Sequence, residues 1–322
     1  MSAIPFVTLD DPRYGEAVEV APNVRRVIAR NPSKFTYHGT GTYIVGTGDV
    51  VVIDPGPALE SHRDALAAAL AGSTVRAILV THCHSDHSPL SQWLKEHTGA
   101  PTVAFGPHRV NHDWIDDDVP DEPDPDELAA QQEAGAETKV EESLDLAFVP
   151  YVAVADGDVA AAPGDLVIRA VHTPGHTSNH LCFWLEGQRI LFTGDHVMGW
   201  STTVITPPDG DMRDYFASLD RVRALAPAMM LPTHGAPVTD AAPFLEAFVA
   251  HRRGREAQVL AAVRDGVELI PDIVRLLYVG VSEKLYKAAG RSVLAHLIKL
   301  VDDGVVRHDG VRPGVTVRYR PA

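Results

Sequence analysis

The chain contains little cysteine and has a deficit of positive charge. Only two cysteines, Cys83 and Cys182, occur in 322 residues, which excludes a disulfide framework and favours a reducing compartment. With 28 Lys and Arg against 43 Asp and Glu, the net charge of −15 argues against a surface that attracts nucleic acid as a whole. The sequence has no apolar run of about 18 residues, and its first residues lack the basic start and apolar core of a signal peptide. We therefore expect a cytoplasmic protein that does not engage membranes.

The densest group of polar residues is the run THCHSDH at positions 81–87, which follows a short apolar strand and precedes a predicted helix. Residues two apart in an extended segment point to the same side, so His82 and His84 can face one point. Asp86 and His87 can face a second point nearby. Imidazole and carboxylate are the usual ligands of zinc and similar divalent ions. The run therefore predicts either one crowded metal site or two adjacent ones, in preference to a polar loop with incidental histidines.

The pattern of an apolar strand followed by a His or Asp beside glycine recurs along the chain. It places Asp54, His176, Asp195 and His234 directly after predicted strands. Loops at the ends of strands in one sheet can converge on one site. We expect these side chains to converge on one site with the 81–87 loop, in a chain that alternates strands and helices and so belongs to the α/β class.

Charge is distributed unevenly along the chain. Residues 113–145 carry fourteen acidic residues and one Lys, which predicts a solvated, partly disordered insertion. Residues 251–322 contain 13 Lys and Arg against 8 Asp and Glu, whereas the rest of the chain has 15 against 35. This asymmetry predicts two domains, a catalytic domain at 1–241 and a C-terminal domain at 242–322.

The C-terminal region reads as three helices followed by a basic β-hairpin at about 305–320. Helix, helix, helix and hairpin is the order of a winged helix. The alternative is a plain helical cap that packs on the main domain, and the sequence leaves both roles open.

The run HCHSDH, followed in order by His176, Asp195 and His234, resembles the signature of the metallo-β-lactamase superfamily. Further stretches resemble its beta-lactamase-like protein two subgroup: GDHVMGWSTTV at 194–204, HGAPV at 234–238, HRRGREAQVL at 251–260 and LAHLIKLVDDGV at 294–305. The resemblance implies an αβ/βα sandwich with two metal ions at one edge of its sheets. Characterised members of the subgroup include single-strand endoribonucleases, and relatives act as acyl thioesterases in polyketide pathways.

The resemblance also implies a ligand set. One ion is held by His82, His84 and His176, the second by Asp86, His87 and His234, and Asp195 bridges them. Two Zn²⁺ ions are the first expectation, with Mn²⁺ or Fe²⁺ as alternatives, because no thiolate is placed to bind. Asp86 and Asp195 are the predicted catalytic residues, since a metal-bridging hydroxide would attack a carbonyl or a phosphorus and Asp86 could orient it.

Other residues near these ligands are assigned supporting roles. Asp54 is expected to orient a metal-bound histidine, with a turn-capping role as the alternative. His180 is expected to contact substrate or to make a structural hydrogen bond, and Thr202 and Thr203 to line the pocket. Cys83 is predicted to be a buried thiol, and His172 and His196 are predicted either to be structural or to contact the ligands from outside the metal site.

The predicted function is a dinuclear metal-dependent hydrolase. The preferred substrate at this stage is single-stranded RNA, because of the subgroup resemblance and the basic C-terminal region. The alternative is a small ester, thioester, lactone or lactam, because the acidic main domain repels a polyanion. A nucleic-acid-binding regulator with an incidental metal site is disfavoured, since a pure binder does not need an open two-metal site. The oligomeric state is left open.

Overall fold

The computed structural model describes residues 4–108, 143–280 and 286–322. Seven strands form the first sheet in sequence order: β1 (Val18–Ala21), β2 (Val24–Ile28), β3 (Gly41–Thr47), β4 (Asp49–Ile53), β5 (Thr74–Leu79), β6 (Thr102–Ala104) and β7 (Val152–Ala153). The first four strands form an antiparallel meander, and β4 to β7 are parallel to one another.

The second sheet has five strands in the order β12, β11, β10, β9, β8. Its strands are β8 (Val159–Ala161), β9 (Ile168–His172), β10 (Leu181–Leu185), β11 (Ile190–Gly194) and β12 (Met229–Pro232). Strands β11 and β12 are parallel, and the other neighbours are antiparallel. Strands β10 and β11 form a hairpin that is joined by a short 3-10 turn at Glu186–Gln188.

The two sheets pack face to face, with helices on both outer surfaces. Alternation along β4 shows why: Val51 and Ile53 face the other sheet, whereas Val50 and Val52 face the helices on the outside. Helices α1 (Glu60–Ala69) and α2 (Leu90–Thr98) cover the first sheet, and α3 (Met212–Leu225) and α4 (Ala241–Arg264) cover the second. The predicted αβ/βα sandwich is confirmed.

The C-terminal region forms the predicted winged helix. It consists of the second half of α4, α5 (Ile270–Leu277), α6 (Tyr286–Asp302) and a hairpin of β13 (Val306–His308) and β14 (Tyr319–Pro321). Helix α4 contributes to two cores, because its first half packs on the second sheet and its second half packs on α5 and α6. In the part of the chain that the structure describes, no helix is both long and apolar enough to cross a membrane.

The candidate ligands come from both sheets of the sandwich: the 81–87 loop follows β5 in the first sheet, whereas His176, Asp195 and His234 follow strands of the second. Strand ends of two stacked sheets can meet at a common edge, and sequence periodicity does not distinguish that case from one sheet.

The acidic segment was predicted to be a solvated insertion, and most of it, residues 113–142, lies outside the described residues. Residues 143–145 pack against the histidine-rich loop: the Ser85 N–H donates to the Ser143 carbonyl at 2.8 Å, and the Ser88 hydroxyl donates to Asp145 Oδ2 at 2.7 Å. These three residues belong to the fold because backbone pairing with the loop supplies partners that a solvated segment would take from water.

Candidate metal centre

Three imidazoles converge at the edge of the sandwich. His82 and His84 lie on the loop after β5, and His176 lies on the loop after β9. His84 Nδ1 is 2.9 Å from His82 Nε2 and 3.2 Å from His176 Nε2. The expectation that His82 and His84 face one point therefore agrees with their geometry.

Hydrogen bonds fix which nitrogen of two of these rings carries the proton. The Thr81 hydroxyl donates to Asp54 Oδ2 at 2.8 Å, so it accepts from His82 Nδ1 at 3.0 Å. His176 Nδ1 donates to the Val204 carbonyl at 2.7 Å. In both rings the lone pair is therefore on Nε2, the nitrogen that faces His84.

The three imidazoles are neutral. Burial and the neighbouring imidazoles lower the pKa of His84 to about 3, and the same two causes hold the pKa of His82 well below its usual value. Burial also lowers the pKa of His176. The Nε2 lone pairs of His82 and His176, which lie within hydrogen-bond distance of His84 Nδ1, are the kind of donor that a divalent cation would coordinate.

A second group of side chains lies beside the first. His87 Nε2 is 3.4 Å and His234 Nε2 is 3.3 Å from the same oxygen, Asp86 Oδ2. The opposite ring nitrogens are donors, because His87 Nδ1 donates to Asp54 Oδ2 at 2.9 Å and His234 Nδ1 to the Gly39 carbonyl at 3.2 Å. Each Nε2 is therefore directed at the carboxylate.

The charges of this second group are strongly coupled. Burial alone would lower the pKa of His87 and His234, but the Asp86 and Asp195 carboxylates outweigh it. They raise the pKa of His87 well above its usual value and that of His234 to about 10. Without a cation, protonated imidazoles compensate the two buried carboxylates, and a bound cation would take over that role.

Asp195 lies between the two groups. Its Oδ1 is 3.6 Å from His87 Nε2 and 3.4 Å from His234 Nε2, and its Oδ2 is 3.9 Å from His176 Nε2. Burial would raise the pKa of Asp195, but the imidazoles of His234 and His87 hold it well below its usual value. An ionised carboxylate with one oxygen facing each group is arranged as a bridging ligand.

The donor atoms fit two divalent cations. His87 Nε2 and Asp195 Oδ1 are buried and have no hydrogen-bond partner, although an unmet buried polar atom costs about 1–3 kcal/mol. Three sets of potential ligand atoms each lie within 4.8 Å of one another: His82, His84 and His176; His82, His87 and Asp195; and Asp86, His87 and His234. Cys83 is buried and points away from this centre, into a small apolar cluster, and burial raises its pKa to about 12, so it offers no thiolate.

Asp54 accepts hydrogen bonds from a ligand and from the loops that carry the ligands. It follows β4 with a φ of +50°, a left-handed conformation that Asp and Asn tolerate better than most residues. Its Oδ1 accepts from the Thr81 N–H at 2.8 Å, and its Oδ2 accepts from Thr81, His87 and Thr233. One carboxylate thus links loops of both sheets.

The sequence analysis did not identify two polar residues beside Asp86. The Thr40 hydroxyl donates to Asp86 Oδ2 at 2.8 Å, and Asn31 Nδ2 donates to that hydroxyl at 2.9 Å. Both residues lie before β3, far from Asp86 along the chain. A lone Thr and a lone Asn carry no ligand pattern, so only the tertiary fold reveals their role.

The remaining predicted residues lie around the ligands at different depths. His180 is fully buried, and its ring nitrogens pair with the Thr173 hydroxyl at 2.9 Å and the Asp195 N–H at 3.2 Å. Thr203 is buried and donates to the His196 carbonyl at 2.9 Å, whereas Thr202 is partly exposed. His196 is buried beside Tyr215, and His172 stacks on Phe105 outside the cluster.

Basic side chains of the C-terminal region are engaged in local ion pairs. Arg318 and Arg320 pair with Glu268, and Lys299 pairs with Glu256 and Asp303. These three side chains therefore neutralise nearby carboxylates, whereas the net charge of the region is unchanged by such pairs.

Comparison with known proteins agrees with this geometry. The sequence model of the Metallo-beta-lactamase superfamily matches residues 37–234, and that of the Beta-lactamase associated winged helix domain matches residues 270–312. The first match contains all seven candidate ligands. The second covers α5, α6 and the first strand of the hairpin.

Individual proteins resemble the chain over most of its length. A protein named atrochrysone carboxyl ACP thioesterase, from Aspergillus chevalieri, is 30% identical over 305 residues, which cover 91% of this chain and 85% of the relative. A beta-lactamase-like protein 2 homolog from Caenorhabditis elegans is 28% identical over 290 residues, covering 88% and 86%. The crystal structure of a beta-lactamase domain protein from Burkholderia ambifaria has the same fold, with a TM-score of 0.75 at 24% identity over 97% of this chain and 95% of that one.

Proposed function

The chain belongs to the metallo-beta-lactamase superfamily of hydrolases, and we propose that it uses two divalent metal ions to hydrolyse an acyl thioester or a related small ester. The observation that carries the dinuclear site is the position of Asp195, whose two oxygens face two separate groups of ligand atoms. Zinc is the first candidate for both ions, because the donors are imidazole and carboxylate and the described thiols are buried away from them.

The chain's own residues prepare the site in two ways. His82, His84 and His176 present neutral nitrogens, so no proton must leave before a cation binds there. Asp86 and Asp195 supply the negative charge that two divalent cations require. When bound, the ions would lower the pKa of a water molecule towards neutrality and polarise the scissile carbonyl.

Asp86 is the second proposed catalytic residue. One of its oxygens faces the two imidazoles of the second group and also accepts the Thr40 hydrogen bond. A carboxylate held by a donor outside the ligand set keeps one orientation while substrate enters and product leaves. In this position Asp86 can hold and orient the attacking water.

Two observations favour an acyl substrate. A relative that matches 91% of the chain is named as a thioesterase. In addition, residues 1–250 contain 35 acidic and 15 basic side chains, and this negative charge disfavours the approach of a polyanion.

Single-stranded RNA is the second candidate substrate. It is favoured by the winged helix at residues 270–312 and by the surplus of Lys and Arg after residue 250. We also propose the division into a catalytic domain at 1–241 and a C-terminal domain at 242–322, with α4 as the element that joins the two cores.

A paired activity assay distinguishes the substrates. The zinc-loaded protein is offered an acyl thioester and a fluorescent single-stranded RNA, each with Asp195→Asn as the control. We expect thioester hydrolysis that the substitution abolishes and that changes little with salt. RNA cleavage that depends on Asp195 and weakens steeply with salt would replace the acyl proposal, because phosphate contacts are salt-dependent. Absence of both activities in protein that holds two ions would refute both substrate assignments.

A further inference from the structure

Arg252 is a buried cation whose charge serves no described ion pair. It lies in the first half of α4 and is only 3% exposed. Among the residues that the structure describes, no carboxylate forms a salt bridge with it, and its Nε has no hydrogen-bond partner. A buried guanidinium without a carboxylate is costly to the fold, so its position calls for a role other than charge pairing.

The first contact of Arg252 leads to a metal ligand. One of its terminal nitrogens donates to the Thr203 carbonyl. The next residue, Val204, provides the carbonyl that accepts the His176 Nδ1 proton at 2.7 Å. Arg252 therefore anchors the backbone that fixes the tautomer and the ring orientation of His176.

The second contact of Arg252 leads to the residue that precedes the same ligand. The Arg252 guanidinium carbon lies 5.3 Å from the centre of the Tyr215 ring. Tyr215 packs so closely on Gly175 that a Cβ there would lie 2.5 Å from the tyrosine Cα. The Tyr215 hydroxyl also donates to the His196 carbonyl at 2.8 Å, directly after Asp195.

We propose that Arg252 is a positioning residue for His176 and, through it, for the metal ion that His82, His84 and His176 would hold. The inference rests on the proposed two-metal site. Arg252 lies after the superfamily match, which ends at residue 234, so the helix that joins the two cores contributes to the catalytic centre. A lysine cannot replace it fully, because an ammonium has neither the planar fork nor the flat face that stacks on Tyr215.

The test measures stepwise metal affinity and not activity alone. Cobalt or zinc is titrated against a competing chelator into the full-length protein and the variants Arg252→Gln and Arg252→Lys. We expect Arg252→Gln to weaken one of the two ions about 10–100-fold, to leave the other unchanged, and to alter the cobalt absorption spectrum. Arg252→Lys should retain part of the affinity.

Two further variants make the result specific. Arg253→Gln removes the neighbouring, exposed arginine of the same helix and should leave both affinities unchanged. His176→Gln removes the ligand itself, and adding Arg252→Gln to it should cause no further loss if the arginine acts through His176.

The outcomes separate this inference from the proposed function. If the unaltered protein binds fewer than two ions, the two-metal site itself fails. If it binds two ions and folded Arg252→Gln or Arg252→Lys binds both as tightly, with an unchanged cobalt spectrum, the positioning role is overturned. If Arg252→Gln does not fold, the affinities of Arg252→Lys decide whether the positioning role holds. Equal weakening of the binding of both ions, in either variant, would indicate a merely structural role and would also overturn the proposal.

Discussion

Replacing Asp54 by Asn should weaken metal binding without a major change in fold. The substitution keeps the shape of the side chain, and Asn tolerates the left-handed φ of +50° at this position. The new amide group has two possible orientations. With its nitrogen at the Oδ2 position it would face three hydrogen-bond donors, whereas with its nitrogen at the Oδ1 position it would face only the Thr81 N–H. The side chain therefore adopts the second orientation, and one buried N–H loses its acceptor, at a cost of about 1–3 kcal/mol of folding stability.

Loss of the Asp54 charge has a separate effect on His87. A carboxylate that accepts from Nδ1 makes the opposite nitrogen a stronger ligand, and a neutral amide oxygen does so less well. We expect the affinity for the ion next to His87 to fall about 10–100-fold. Titration of zinc against a fluorescent chelator measures this change, and urea unfolding of the metal-free protein measures the stability loss.

Asp49→Asn is the matched control for this experiment. Asp49 begins the same strand, is partly exposed and pairs with Arg76 on the surface, where an ion pair contributes about 0–1 kcal/mol. It should leave both zinc affinities unchanged. Wild-type zinc affinity in folded Asp54→Asn protein would refute the argument that Asp54 strengthens His87 as a ligand.

Three other predictions follow from single contacts. Thr40→Val should reduce affinity for the ion next to Asp86 roughly 10-fold, because Asp86 Oδ2 loses its 2.8 Å donor, whereas Thr40→Ser should behave like the wild type in the same titration. His62→Gln should make stability against urea less sensitive to acid. Burial lowers the pKa of His62 to about 4, so the unfolded chain takes up a proton at a higher pH than the folded chain does. The folded state therefore loses stability as the pH falls from about 6.5 towards 4, at up to roughly 1.4 kcal/mol per pH unit. The exposed His97→Gln is its control, and an unchanged acid slope in His62→Gln would contradict the assignment. Removal of the ions by chelation should lower the urea midpoint, and re-addition of zinc should restore it, because a ligand of the folded state stabilises that state.

The candidate ligands were predictable because they combine a local signature with a repeated pattern. Three histidines and one aspartate within residues 82–87 are too dense for a neutral loop, and His176, Asp195 and His234 each follow an apolar strand. Short apolar runs also indicated the strands that precede the ligands, and the order of helices and hairpin indicated the winged helix. The sequence did not reveal that these loops come from two different sheets, because the apolar pattern of a strand is the same whichever sheet it joins.

Two of the supporting residues, Thr40 and Arg252, could not be predicted from the sequence. Thr40 contacts Asp86 across 46 positions, and Arg252 reaches Thr203 across 49, and neither residue type signals a metal site. Their roles depend on which backbone carbonyls and carboxylates the tertiary fold places beside them. Asp54 was predicted because it ends a strand before a turn, but its contact with Thr233 of the other sheet emerges only from the fold.

The central claim is that two ions share Asp195, and anomalous diffraction from crystals of the zinc-loaded protein tests it most directly. The account predicts two zinc peaks, one among His82, His84 and His176 and the other among Asp86, His87 and His234, with Asp195 between them and at most one peak in Asp195→Asn. A single peak in the unaltered, fully loaded protein, or two peaks that both lie away from Asp195, would contradict it.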